Sequence, residues 1–315
     1  MSACGGGDGN ASRSSPGFAV GTRVETLVDT TRSTEGRGEA PGQPSRTLET
    51  LVYYPAAGNA GGEPTPDAPA AARGPFPLIV FSHGSGVSSP ARYDLLFRSW
   101  ASAGYVIAAP THPLSSTNLP GGGSDVVNQP ADLSFVIGEM GRRSSDPASP
   151  YHRLVDGDRV GAAGHSLGAV TALGAVSNHC CLDARIRAAA ILAGRKAAFP
   201  VDGWVTGPRA PLLVVHGDDD RLVRLAEGQQ IFDEAAPPKA MLTVFGGDHN
   251  RPYGGSLATT ENPERVGATL DGPTRVVNTT IVAFFDRYLK DRGDALARLG
   301  ATLGDEVSVR LQVAE

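Results

Sequence analysis

The chain has 315 residues, 40% of them hydrophobic, with 40 glycines, 24 prolines and a formal net charge of −5. That length suits one large α/β domain, and the acidic charge without Lys/Arg runs excludes a nucleic-acid partner or a polybasic membrane surface. No apolar stretch approaches the roughly 20 residues that cross a bilayer, which excludes an integral membrane body.

At the N-terminus, Met1-Ser2-Ala3-Cys4-Gly5 leads into a polar run to about Pro16 without hydrophobic periodicity. Small residues before a cysteine and a Gly/Ser/Asn tether after it resemble the cleavage site of a bacterial lipoprotein, with Met1 standing where a signal peptide was removed. The expectation is a disordered tether over residues 1–17, lipid anchoring to a membrane through Cys4, and a secreted or cell-surface bacterial location. Two strands are expected at 20–29 and 46–54. From 56 to 75 the composition collapses to Ala, Gly and Pro, which predicts a flexible surface loop with nothing to bury.

From Leu78 onward, apolar runs of strand length alternate with helical stretches. Strands are expected at 78–81, 105–109, 159–163, 188–192, 212–216 and 241–245, and helices at 91–103, 125–140, 167–177, 225–235 and 275–290. Strands apolar along their whole length, with helices between them, predict an α/β fold: a mostly parallel central sheet flanked by helices on both faces, one domain over 18–315. Fewer than two dozen residues lie between Leu192 and Leu212, too few for a large lid, so the site is expected to be open. Cys180 and Cys181 are neighbours, and a disulfide between neighbours is strained and uncommon. They are expected as two small, partly buried side chains near a helix end.

Gly164-His165-Ser166-Leu167-Gly168 matches the Gly-x-Ser-x-Gly nucleophile elbow. The chemistry needs a tight strand-to-helix turn that lifts the serine hydroxyl above the sheet, and glycines two before and two after permit the close packing. A strand-like segment precedes Ser166 and a helix-like one follows, so the serine also sits where a helix N-terminus favours developing negative charge. Serine needs a base. Of seven histidines, His249 follows the last expected strand, where the order Ser, acid, His requires it. The acid belongs after the preceding strand, where Asp218, Asp219 and Asp220 stand in a row; Asp220, three residues after Gly217, is the choice, with the other two able to cap a turn or helix. Phe81-Ser82-His83-Gly84-Ser85-Gly86 resembles the His-Gly-x-Gly loops that supply an oxyanion donor, assigned to the Ser85 N–H, with the Leu167 N–H as the second. His83, Gly86, His165 and Val223 are expected to line the substrate. No metal and no organic cofactor is implied.

Phe76 to Gly84, the elbow, and the segment from Pro238-Lys239 to Gly247-Asp248-His249 resemble bacterial platelet-activating-factor acetylhydrolases and the neighbouring chlorophyllase-like and dienelactone-hydrolase-like esterases, across about residues 18–292. Cutinases and polyester hydrolases are similar too, but commonly carry a bulky residue where Ser85 stands. Dienelactone hydrolases use a cysteine nucleophile where this chain has Ser166. The resemblance implies an α/β-hydrolase fold and a serine esterase acting on a small-molecule, lipid-like or polymeric ester. A serine peptidase or thioesterase on the same machinery is the alternative.

Overall fold

A computed structural model describes residues 17–36, 41–85, 89–115, 125–205, 209–253, 272–303 and 309–314. Cys4 and Gly86 lie outside these residues, as does nearly all of the expected tether. Ten strands form one sheet: β1 (Ala19–Asp29), β2 (Arg46–Ala56), β3 (Thr65–Pro66), β4 (Phe76–Ser82), β5 (Val106–Thr111), β6 (Val155–His165), β7 (Ile186–Leu192), β8 (Leu212–Gly217), β9 (Lys239–Val244) and β10 (Val309–Ala314). Their order is β10-β9-β8-β7-β6-β4-β5-β2-β1-β3. The six strands from β5 to β9 across the middle are mutually parallel, whereas β2 pairs antiparallel with β5 and β1, and β10 antiparallel with β9.

The helices are α1 (Asp94–Ser102), α2 (Gln129–Ser145), α3 (Leu167–Ser177), α4 (Leu225–Glu234), α5 (Gly272–Leu289) and α6 (Ala295–Leu303). They divide the apolar residues into two cores. Leu78 and Val80 of β4 pack with Leu133, Met140 and Leu173 beneath one face; Ile79 and Phe81 pack with Phe97, Trp100 and Phe285 on the other. Successive side chains of a strand point to opposite faces, so a strand covered on both sides must be apolar throughout. All seven residues of β4 are buried. Each fully buried large side chain contributes roughly 1.5–3 kcal/mol.

Four expectations are corrected. The Ala/Gly/Pro stretch does bury something: Tyr54 Oη donates to the Ala68 carbonyl at 2.7 Å, Ala68 is 8% exposed, and β3 pairs with β1. The two cysteines are joined in a disulfide. The turn after α3, where Cys180 N–H bonds Asn178 Oδ1 and Cys181 N–H bonds Asn178 O, brings the neighbouring side chains together; Cys180 is exposed and Cys181 half-buried. The helix expected at 91–103 begins as a 3₁₀ turn over Pro90–Tyr93, and the one expected at 125–140 starts at Gln129, with Pro130 in its first turn. Helix α6 and strand β10 had no counterpart in the sequence reading, although Val309, Leu311 and Val313 alternate as a strand should.

Candidate active site

Every candidate group stands at or just beyond the C-terminal end of a parallel strand. Ser166 follows β6, Asp220 lies three residues after β8, His249 five after β9, and the Ser82–Ser85 loop leaves β4. This edge is where open parallel sheets present ligands. Ser166 has φ 57° and ψ −118°, a left-handed conformation for a non-glycine residue, and it is the residue that caps α3. Such strain persists only where the surroundings enforce it. The enforcement is visible: Ser166 N–H donates to the Leu192 carbonyl of β7 at 2.9 Å. A Cβ on Gly164 would lie 2.1 Å from the Gly168 carbonyl, and one on Gly168 would lie 1.9 Å from the Ser82 carbonyl. The first turn of α3 thus packs straight onto both the elbow and the Ser82–Ser85 loop, and only glycine fits either place.

Ser166 Oγ is 2.8 Å from His249 Nε2, and His249 Nδ1 is 2.8 Å from Asp220 Oδ2. Asp220 can only accept, so the Nδ1 proton faces the carboxylate and Nε2 is left to accept from the serine hydroxyl. The other carboxylate oxygen, Oδ1, accepts the backbone N–H groups of Leu222 and Val223 at 2.9 Å each. The three neighbouring aspartates are therefore distinguished by contact. Asp218 accepts from Gly246 N–H and fixes the turn after β9; Asp219 is exposed beside Arg221; Asp220, 5% exposed, reaches His249.

The sequence places His83, Gly86, His165 and Val223 at the substrate. The structure instead turns His83 and His165 inward, at 1% and 3% exposure, with both ring nitrogens of each engaged by the protein. His165 Nε2 donates to the His249 carbonyl at 2.7 Å, so its Nδ1 accepts from Tyr93 Oη at 2.9 Å, and Tyr93 Oη accepts from Gly84 N–H at 3.2 Å. One chain of bonds thereby ties the Ser82–Ser85 loop, the elbow and the His249 loop together. Burial first, and the neighbouring His249 second, push the His165 imidazole down to about 3, so it stays neutral. Val223 is 9% exposed and acts through its backbone: its N–H holds Asp220, and its carbonyl accepts from His216 Nε2 at 2.8 Å. Ser85 is exposed at the loop, and Leu167 supplies the first N–H of α3, a donor with no acceptor inside the helix.

Tyr93, His112, Asp132 and Arg46 escaped the sequence reading. Tyr93 carries no motif, and His112 comes before the nucleophile in the chain, outside the order that singles out a base. Among the described residues no group of three or more His, Cys, Asp or Glu could hold a metal, and no helix is long and apolar enough to cross a membrane. What this arrangement can do chemically is remove a proton from Ser166 as its oxygen attacks an electrophile.

A sequence profile of the platelet-activating factor acetylhydrolase isoform II family matches residues 32–120. That span holds β2, β4, the Ser82–Ser85 loop, α1 and β5, and ends before Ser166. Among curated proteins, none matches the chain in sequence. Among solved structures, a ferulic acid esterase from Streptomyces cinnamoneus is similar at TM-score 0.67 and 24% identity, over 90% of this chain and 92% of that one. The strand order, the helices on both faces and this likeness agree: the chain has the α/β-hydrolase fold.

Proposed function

We propose that the protein is a carboxylic ester hydrolase that works through Ser166, His249 and Asp220 and an acyl-enzyme. The observation that carries this reading is the strained Ser166 at the head of α3 with His249 Nε2 at 2.8 Å and Asp220 behind it. Ser166 Oγ attacks the ester carbonyl carbon and gives its proton to His249 Nε2. Asp220 holds the imidazole in the required tautomer and stabilises the imidazolium without taking the proton. The N–H groups of Ser85 and Leu167 meet the oxyanion, each typically worth about 10²–10³ in turnover. The alcohol leaves with the proton from His249, and water repeats the sequence to release the acid. The similarity of residues 32–120 to an acetylhydrolase family and of the fold to a ferulic acid esterase supports ester hydrolysis, not peptide hydrolysis.

Fold alone selects no substrate. The test is hydrolysis of p-nitrophenyl esters from acetate to palmitate, with methyl ferulate alongside and Ser166→Ala beside the parent. Turnover by the parent alone supports the reading. Equal turnover by both proteins, or by neither, removes it.

A further inference from the structure

A second Ser–His–Asp chain lies behind the first. Ser82 Oγ, at the end of β4, is 2.9 Å from His112 Nε2, and His112 Nδ1 is 2.8 Å from Asp132 Oδ2 on α2. All three residues are 0% exposed, so no substrate reaches this serine. Asp132 is also held by Arg46, at 2.5 and 2.7 Å, and by Arg32 at 2.9 Å; Arg46 continues to Asp125 at 2.5 Å. This chain fixes His112 at the end of β5. The backbone N–H of His112 then donates to His83 Nε2 at 3.2 Å. An accepting Nε2 puts the His83 proton on Nδ1, which donates to the Gly84 carbonyl at 2.7 Å.

The Gly84 carbonyl and the Ser85 N–H are two ends of one planar trans peptide and point in opposite directions. Holding the carbonyl against the buried imidazole therefore aims the Ser85 N–H the other way, toward the exposed side of the loop. Gly84 itself lies against the nucleophile, since a Cβ there would sit 3.4 Å from Ser166 Cβ. Its N–H is held from the other side by Tyr93 Oη. Both peptides of Gly84 are thus pinned.

We propose that His83 is a positioning residue that sets the direction of the Ser85 N–H through the Gly84–Ser85 peptide, and that the sealed Arg46–Asp132–His112 chain anchors it. The inference rests on the esterase reading above.

Two isosteric variants test it. In His83→Asn the amide nitrogen stands where Nδ1 was, so the donor to Gly84 is kept. In His83→Gln the amide stands where Nε2 was, so the contact to His112 is kept and the donor to Gly84 is lost. The expected result is kcat within about tenfold of the parent for Asn and lower by about 10²-fold for Gln, with KM within about threefold in both. Affinity for an aryl trifluoromethyl ketone should fall for Gln by the same factor as kcat. There Ser166 Oγ adds to the carbonyl carbon, the C=O electron pair becomes the oxyanion and the serine proton passes to His249. Equal activity of the two variants, the reverse order, or a loss confined to KM overturns the proposal.

In the unmodified protein, ¹⁵N-histidine NMR should show His83 as the neutral Nδ1–H tautomer, and an Nε2–H form there overturns it whatever the variants do. A parent inactive on every ester, or an active Ser166→Ala, sinks the esterase reading instead. A Ser166-dependent parent with indistinguishable Asn and Gln variants sinks only this one.

Discussion

The outer chain, Ser166–His249–Asp220, and the inner chain, Ser82–His112–Asp132, have nearly the same bond lengths: 2.8 and 2.8 Å against 2.9 and 2.8 Å. Their surroundings differ. The outer serine sits in left-handed backbone at the head of a helix; the inner one closes an ordinary strand. The outer carboxylate is met by two backbone N–H groups, which leaves its full charge available to a developing imidazolium. The inner carboxylate is already neutralised by Arg46 and Arg32. Burial raises the Asp132 carboxyl, but the bonds from His112 and Arg46 outweigh that and hold it at about 2. Connectivity alone therefore does not single out the outer chain for the proposed chemistry; access, backbone strain and an acid not paired with arginine do.

Removing the two serines should separate the chains most sharply. Ser166→Ala is expected to lower kcat on a p-nitrophenyl ester by about 10⁶-fold, leaving only binding and oxyanion stabilisation. Ser82→Ala should keep activity within about tenfold and cost about 1–2 kcal/mol in urea unfolding, because a buried imidazole nitrogen loses its donor. A large activity loss from Ser82→Ala at unchanged stability would put the inner chain into the chemistry and erase the distinction.

The two acids are expected to divide the same way. Asp220→Asn should lower kcat by about 10⁴-fold by admitting the wrong His249 tautomer, with a small effect on Tm. Asp132→Asn leaves Arg46, 1% exposed, facing Asp125 alone, and should cost about 3–5 kcal/mol. Thermal denaturation and steady-state kinetics on both variants check this. A neutral Asp132→Asn would mean that Asp125 suffices for the arginine.

Between the two chains stand His83 and His165, and they tie both to pH. Burial first, then His112 beside one and His249 beside the other, holds each imidazole down to about 3. An unfolded histidine titrates near 6.5, so the stability tied to these neutral rings is whole above that pH and lost as pH falls toward 3. At pH 5 each should have cost about 2 kcal/mol. Urea unfolding at pH 7 and pH 5 reads the difference. A flat result would show that the rings are solvated and cannot hold the loops.

The outer chain was legible in the sequence because its residue types follow the strand pattern: Ser166 within Gly-x-Ser-x-Gly, Asp220 after one apolar run and His249 after the next. The parallel sheet was legible for the same reason, since Leu78 to Phe81 can be apolar at every position only if both faces are covered. The inner chain was not legible. Arg46, Asp132 and His112 are 86 residues or fewer apart in sequence but meet only when β2, β5 and α2 pack, and no local pattern encodes that meeting. The inward turn of His83 and His165 was missed likewise, because a histidine beside a glycine at a strand end reads the same whether its ring faces substrate or core. Strand β10 was not legible because Val309, Leu311 and Val313 alternate over too short a run for period two to stand out.

The smallest effect is expected at Cys180–Cys181. Helix α3 carries the strained serine at its head and this disulfide just beyond its tail, and Cys181 packs against the small apolar cluster of Val126, Val170 and Phe199 that Leu167 also joins. The disulfide is nonetheless expected to leave the outer chain unaffected. Linking neighbouring residues closes almost no loop, so it removes little freedom from the unfolded chain. The turn also has its own bonds, with Asn178 Oδ1 accepting from Cys180 N–H and the Asn178 backbone N–H donating to the Gly174 carbonyl. Reduction by a phosphine should therefore shift Tm by less than about 2 °C, under about 1 kcal/mol, and leave kcat unchanged. A drop in kcat on reduction, with Tm held, would mean that α3 transmits strain from its tail to Ser166. The outer chain would then depend on a contact at the far end of α3.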